Sequence, residues 1–144
     1  MERKYGRPVW WVLCVLWLAV VFGHSLLPAE LSKAESGGLL ARLTTGMPFL
    51  TDHLLRKFAH FSEFGLLGLL LLAQCLRAGF ARPALAALLC ALADETIQLF
   101  VPGRSGQVKD IWIDFAGAVL AIGLTVLARM LLRRARANAG NTEA

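Results

Sequence analysis

Charged residues are scarce in this 144-residue chain: they make up 17% of it, whereas hydrophobic residues make up 57%. The mean hydropathy is +0.60. Because a soluble globular domain contains roughly 45–50% apolar residues, this composition argues against a soluble protein. The length leaves room for one domain, and the long uncharged runs predict an integral membrane protein.

Cysteine is also scarce, and its positions argue against a redox pair or a cysteine-based metal site. Cys14, Cys75 and Cys90 all lie in hydrophobic segments, with no CxxC pair and no Cys/His metal spacing. We interpret them as small buried hydrophobic residues. The sequence predicts no cofactor and assigns no metal ligands.

Basic residues give the chain a net charge of +5, but their positions do not favour nucleic acid as a partner. Seven of them flank the first and last hydrophobic segments: Arg3, Lys4, Arg7, Arg129, Arg133, Arg134 and Arg136. Basic residues beside membrane spans set orientation and contact anionic head groups. We therefore predict membrane lipids, and no nucleic acid, as partners.

Four hydrophobic segments are long enough to cross a bilayer: residues 9–27, 58–76, 84–101 and 111–132. The shorter ones reach about 27–28 Å as helices, close to a hydrocarbon core of about 30 Å. The predicted fold class is all-α, an integral membrane bundle of four transmembrane helices over residues 9–132. A basic cytoplasmic N-terminus (1–8) precedes it, and a basic, disordered tail (133–144) follows.

The connections between the segments predict the orientation of the chain. Residues 28–57 join the first two spans, with an interfacial turn at 39–43, and residues 102–110 form a tight loop between the last two. Lysine and arginine number 9 on the side of the termini and 6 on the other. Since positive charge favours the inside, we expect both termini in the cytoplasm and both of these connections outside.

The charged residues of spans two to four converge on their outer halves, and the inner halves are nearly free of charge. At about 100° per residue, each of these helices carries them on one face, with small residues such as Gly68, Gly117 and Ala121 deeper in the membrane. Charged side chains inside a bilayer are costly and commonly functional. The pattern therefore predicts one polar site near the outer surface.

Two stretches carry a recognisable pattern: KFAHFSEFGLLGLL at 57–70 and ADETIQLFVPGRSGQVKDIWIDFAG at 93–117. They resemble the VanZ-like family of small bacterial membrane proteins, in which K-x-x-H-F is followed by D-E-x-x-Q-x-F-x-P-G-R and a later Asp. FGHSLLP at 22–28 is similar to the family's F-x-x-S-x-x-P. Arg56, Phe64 and Asp114 depart from the usual acidic residue, Tyr and Asn. The resemblance implies a multi-pass protein of the bacterial cytoplasmic membrane, associated with teicoplanin resistance without an established reaction.

Eight polar residues are assigned to the predicted site. The candidate catalytic residues are Glu95 as general base, Asp94 beside it and His60 as a proton relay. The candidate ligand-binding residues are Lys57, Gln98, Arg104, Asp110 and Asp114. Arg104, in a glycine-flanked loop, suits a phosphate or carboxylate through bidentate hydrogen bonds.

Several alternatives remain open from the sequence. Asp110, Asp114 and Glu95 could instead hold a hard cation, although no spacing dictates this, or the charges could pair only to hold the bundle together. Three functions are compatible with the pattern: binding of an anionic lipid or lipid-linked envelope intermediate, hydrolysis or transfer on a lipid head group, and a non-catalytic subunit or small transporter. The nearly apolar inner half argues against a transporter. Homo-oligomerisation is also left open.

Overall fold

The computed structural model describes residues 6–43, 51–74 and 80–142. Within these residues the chain forms helices and no strand: α1 (Gly6–Leu26), α2 (Ala29–Leu43), α3 (Asp52–Gln74), α4 (Ala81–Gln98) and α5 (Val108–Thr142). The predicted all-α class is confirmed. The helices α1, α3, α4 and α5 cover most of each of the four hydrophobic segments.

The helix α2 replaces the short interfacial turn expected at residues 39–43. It begins at Ala29, directly after Pro28, which cannot donate the backbone hydrogen bond needed to continue α1. Alanine and leucine, which favour helix, make up seven of its 15 residues. Because α2 packs against α3, it adds a further helix beside the predicted site.

Two of these helices, α1 over Pro8–Leu26 and α5 over Val108–Arg136, are long and apolar enough to cross a membrane. The helices α3 and α4 have 23 and 18 residues, about 34 and 27 Å at 1.5 Å per residue. Their charged residues lower their hydropathy and are concentrated in one half of each helix. Length and composition therefore identify α1 and α5 as candidate membrane spans.

The helix α5 also extends beyond the predicted end of the fourth span. Residues 133–142 are helical, whereas the sequence analysis expects a disordered tail there. The extension is rich in arginine and alanine, which are among the best helix formers, and it continues an established helix without a new nucleation cost. Arg133, Arg134 and Arg136 are all exposed.

The closest helix contact is between α3 and α5, where glycines allow the backbones to approach. A Cβ added at Gly68 would lie 2.9 Å from the carbonyl oxygen of Ala118. A Cβ at Gly117 would lie 2.9 Å from the carbonyl carbon of Phe61. Phe64 of α3 packs in one buried apolar cluster with Ala118 of α5, and Ile122 of α5 packs in a second with Leu72 of α3. Small residues therefore set the separation of α3 and α5, as the helical phase predicts.

The inner face of α4 changes from apolar to polar along the helix. Its buried residues begin with alanines and end with carboxylates and an amide: Pro83, Ala84, Ala87, Ala91, Asp94, Glu95 and Gln98. Cys14 of α1 is buried in the adjoining core and Cys90 of α4 is half-buried, whereas Cys75 lies outside the described residues. The buried polar residues of α4 therefore all lie in its C-terminal half.

The outward surface of the bundle is apolar. Each long helix exposes large aliphatic side chains, among them Leu16 of α1, Leu69 of α3, Leu89 of α4 and Leu124 of α5. Soluble monomers rarely expose contiguous apolar surface on this scale. The arrangement, with carboxylates buried and leucines outside, suits an apolar solvent.

The ends of α1 and α4 lie beside the starts of α2, α3 and α5. We call this region of the molecule the polar end. The backbone N–H of Ala29 donates to the carbonyl of Pro102 at 3.3 Å, which fastens the start of α2 to the loop between α4 and α5. Gly103 in this loop has a φ of 74°, a conformation that favours glycine.

Candidate functional site

A cavity of about 280 Å³ lies at the polar end. It is lined by α2, α3, α4, α5 and the loop between α4 and α5: Ala29, Lys33, His53, Arg56, Lys57, His60, Glu95, Gln98, Gly103, Arg104, Ser105, Gln107, Asp110, Ile113 and Asp114. Seven of the eight sequence-predicted site residues therefore lie around one cavity. The eighth, Asp94, is fully buried and hydrogen-bonded to the cavity residue Gln98.

Asp94 connects α4 to α1. The hydroxyl of Ser25 donates to Asp94 Oδ1 at 2.5 Å, and Gln98 Nε2 donates to Asp94 Oδ2 at 3.0 Å. Ser25 is itself fully buried, so its hydroxyl satisfies a carboxylate oxygen that water does not reach. Both Asp94 oxygens are thereby oriented by neighbouring side chains.

Glu95 holds the loop that follows α4. Its Oε2 accepts a hydrogen bond from the backbone N–H of Gln107 at 2.7 Å. The adjacent Gly106 is required for this close approach, because a Cβ there would lie 2.7 Å from the carbonyl oxygen of Glu95. One oxygen of the predicted general base, Oε2, is thus engaged in positioning the loop.

Arg104 reaches from the loop to the end of α1. Its Nε donates to the carbonyl of Leu27 at 2.8 Å, and its Nη2 donates to the carbonyl of His24 at 2.9 Å. Partial burial lowers the pKa of the guanidinium from its usual value, with Asp94 and Glu95 acting in the opposite direction. Since the Nε–Nη2 edge is already occupied, the bidentate contact expected from the sequence is not available on that edge.

Two ion pairs link α3 to its neighbours. Lys57 Nζ pairs with Asp110 Oδ1 across the α3–α5 contact, with both side chains partly buried. Glu63 Oε1 contacts His24 Nδ1 at 2.8 Å, and the Glu63 backbone carbonyl accepts a hydrogen bond from Trp17 Nε1 at 2.9 Å. The α1–α3 contact is therefore polar near the cavity, and at its far end Gln74 Nε2 donates to the carbonyl of Trp10 at 3.4 Å.

His60 and Asp114 face each other at the cavity. His60 Nδ1 lies 3.7 Å from Asp114 Oδ1 and 4.0 Å from Asp94 Oδ2. Asp114 is fully buried, and neither of its carboxylate oxygens has a hydrogen-bond partner among the described residues. The Nδ1 atom of His60 is likewise buried and without a partner there. These three atoms are the unsatisfied polar groups of the predicted site.

Several residues of this region were not assigned to the site by the sequence analysis. Ser25 had a signal, because it is the serine of the F-x-x-S-x-x-P pattern at 22–28. Lys33 lies on α2, which the sequence analysis did not predict as a helix, and His53 lies at the start of α3, before the predicted span. Gln107 contributes a backbone N–H, which carries no side-chain signal at all.

The fold and the site together define a class of protein. A helical bundle that is apolar on its outer faces and buries charged residues at one end is typical of helical membrane proteins.

The family model described as VanZ/LLP1 matches residues 10–129. The chain belongs to the VanZ/LLP1 family, and the match includes every residue that lines the cavity. Neither the curated proteins nor the solved structures compared with the chain gave a match.

Proposed function

We propose that this VanZ/LLP1-family chain spans the bacterial cytoplasmic membrane four times and binds the phosphate group of an anionic lipid or lipid-linked envelope intermediate. The observation that carries the proposal is the cavity at the polar end, where Lys33, Arg56, Lys57 and Arg104 line a single opening. Lysine and arginine side chains are the usual protein ligands of phosphate groups.

Four membrane crossings are supported by the outward faces of α3 and α4. Leu66 and Leu69 of α3 and Leu85, Leu89 and Leu92 of α4 are exposed, although these helices carry buried charges on their inner faces. The distribution of lysine and arginine favours cytoplasmic termini and an outward-facing cavity. Alkaline phosphatase inserted after Ser105 should be active and the same enzyme fused after Ala144 inactive; the opposite pattern would reverse the orientation.

The size of the cavity favours a head group over an intact antibiotic. Pockets for drug-sized molecules measure roughly 300–1,000 Å³, and this one measures about 280 Å³. A phosphate head group fits that volume, with its acyl or prenyl chain lying along the apolar outer faces of the helices. A lipoglycopeptide is much too large, so a link to teicoplanin resistance would operate through envelope lipids and not through binding of the drug.

The acidic residues of the cavity give the binding selectivity. Lys57 is paired with Asp110, and Glu95 lies on the wall of the same cavity. Because the cavity carries charges of both signs, a phosphate must be held by directed, charge-assisted hydrogen bonds and not by a large positive potential. Such a site discriminates between anions by geometry, as recognition of one head group requires.

A second candidate function is hydrolysis or transfer on that head group. It is favoured by the Asp114 carboxylate, which is unpartnered among the described residues and lies 3.7 Å from the His60 imidazole at the cavity. A carboxylate and an imidazole beside a bound phosphate could serve as general base and acid. Incubation with radiolabelled phosphatidylglycerol separates the candidates, because binding alone releases no labelled head group.

The binding proposal is tested by native mass spectrometry of the purified full-length chain with dioleoylphosphatidic acid, and with dioleoylphosphatidylcholine as the lipid without net charge. Arg104→Gln removes a charged donor that is worth about 1.5–3 kcal/mol, so occupancy by phosphatidic acid should fall about tenfold or more. Lys33→Gln, at an exposed position, tests the same cavity with little risk to folding. The matched control is Arg82→Gln, because Arg82 is exposed at the opposite end of α4.

Equal occupancy by the two lipids in the wild type would contradict the proposal. So would equal loss of phosphatidic acid in the Arg82 variant and the two cavity variants. Free glycerol 3-phosphate is added as a competitor: displacement of the lipid indicates recognition of the head group, whereas a lack of displacement indicates that the hydrocarbon chains are required as well.

A further inference from the structure

Two residues with unsatisfied atoms, His60 and Asp114, form a compact group with Asp94 at the cavity. The ligand atoms of His60, Asp94 and Asp114 all lie within 4.8 Å of one another. The two aspartate side chains are 0% and 1% exposed. Burial of two neighbouring carboxylates without a cation is strongly unfavourable, because each loses its hydration and each repels the other.

Lys57 and Arg104, the two basic residues assigned to the site, are already engaged with other groups. Lys57 pairs with Asp110, and Arg104 is bonded through two nitrogens to backbone carbonyls of α1. The Asp114 carboxylate has no hydrogen-bond partner among the described residues. A cation beside it would compensate its charge.

The distances between the three side chains are those of ligands around a common ion. Separations of 3.7 and 4.0 Å from His60 Nδ1 exceed the 2.7–3.2 Å range of hydrogen bonds with a nitrogen donor. Ligand atoms about 2.0–2.2 Å from a single metal ion can lie up to about 4.4 Å apart. An ion between the three groups would contact each of them after shifts of a few tenths of an ångström.

We propose that His60, Asp94 and Asp114 form a binding site for a divalent first-row metal ion such as Zn²⁺ or Mn²⁺. Imidazole nitrogen together with carboxylate oxygen suits these ions, whereas Mg²⁺ and Ca²⁺ favour oxygen ligands alone. Two carboxylates balance the charge of one divalent ion. The site differs from the all-carboxylate alternative of the sequence analysis, because Asp110 is paired with Lys57 and Glu95 with the Gln107 amide.

The hydrogen bonds around Asp94 support this assignment. Ser25 and Gln98 each donate to one of its oxygens, at 2.5 and 3.0 Å, and thereby orient the carboxylate, as partners behind a metal ligand commonly do. His60 and Asp114 also line the cavity. The remaining coordination positions of the ion would therefore face the cavity, where water or a phosphate oxygen could occupy them.

The test uses the purified full-length chain in detergent, stripped with a chelator and then equilibrated with buffered Zn²⁺ or, separately, Mn²⁺. Bound metal is counted by inductively coupled plasma mass spectrometry. We expect about one ion per chain, and at least about tenfold weaker binding in Asp114→Asn and in His60→Gln. Helical circular dichroism and elution as a single species confirm that each variant is folded.

Two control variants distinguish this site from adventitious binding. His53→Gln removes a histidine of the same cavity outside the group of three, and His24→Gln removes the more exposed histidine that pairs with Glu63. Both should keep the wild-type metal content. With Co²⁺ as the probe, the visible absorption of the wild type should change in His60→Gln, because the nitrogen ligand is lost.

Three results would overturn the proposal: a metal-free wild type, unchanged binding in both Asp114→Asn and His60→Gln, or equal losses in the control variants. The measurement contains no added lipid. Failure of the metal site is therefore distinguishable from failure of head-group binding, which is measured with phosphatidic acid.

Discussion

The glycines between α3 and α5 permit a graded test of the fold. Gly→Ala adds a single Cβ at each position, and the space available for it differs. Nothing lies within 4 Å of a Cβ at Gly23, and at Gly65 the nearest atom is 3.6 Å away, an ordinary contact. At Gly68 the nearest atoms are backbone atoms of Ala118 at 2.9 and 3.0 Å. At Gly117 the new Cβ would overlap the Phe61 carbonyl group.

The size of each effect follows from two opposing terms. Alanine is favoured over glycine inside a helix by roughly 0.5–1 kcal/mol, so Gly23→Ala should be neutral or stabilising. Overpacking costs about 1–3 kcal/mol or more, and backbone atoms cannot move aside as a flexible side chain can. We expect destabilisation in the order Gly117→Ala, Gly68→Ala, Gly65→Ala, with the last close to wild type.

Thermal unfolding in a mild detergent, followed by the loss of monodisperse protein on heating, measures this series. At roughly 4 °C per kcal/mol for a chain of this size, a cost of about 1–3 kcal/mol lowers the apparent Tm of Gly117→Ala by about 4–12 °C. Gly23→Ala supplies the matched control. If Gly117→Ala and Gly23→Ala unfold together, the backbones of α3 and α5 are not in contact and the reasoning is refuted.

The same substitution reaches the candidate site. Gly117 lies three residues after Asp114 on α5, and Phe61, whose carbonyl it contacts, directly follows His60 on α3. Moving α3 away from α5 would therefore increase the separation of His60 and Asp114. The proposed metal affinity should fall in Gly117→Ala even at temperatures where the variant remains folded, and should be unchanged in Gly23→Ala.

Two other variants test the polar end in different ways. Ser25→Ala leaves a buried Asp94 oxygen without its 2.5 Å donor, so it should lower the free energy of unfolding by about 1–3 kcal/mol. Ser62→Ala is the control and should cost little, because Ser62 is exposed and bonded to its own helix. Equal unfolding temperatures for the two variants would contradict the role given to the Ser25–Asp94 hydrogen bond. Production of the wild type in a teicoplanin-sensitive bacterium should raise tolerance to teicoplanin more than to vancomycin. At matched membrane levels, Arg104→Glu should abolish that effect, whereas Glu95→Gln, which keeps an oxygen able to accept from the Gln107 amide, should retain part of it. If the wild type does not shift tolerance, this chain is not linked to the resistance.

The helices themselves were largely predictable, because helix formation and burial depend on local periodicity. Spacings of three and four residues place Asp94 and Gln98 on one face of α4 with small alanines further along. The helix α2 was missed because it is short and not strongly apolar, so it lacked the span-length hydrophobic signal used for the other helices. The helical tail after residue 132 was missed because its basic composition was interpreted as disorder.

The sequence by itself determined an all-helical, apolar chain with its polar residues at one end, together with its membership of the family. The tertiary structure decided how those residues are used: which carboxylates are already bonded, and that Asp114 is the one left facing His60 without a partner among the described residues. Helical phase sets the face on which a side chain lies, but not its partner. Partners depend on the rotation and axial offset of packed helices, which here are set by backbone contacts at Gly68 and Gly117, distant in sequence from the groups they align.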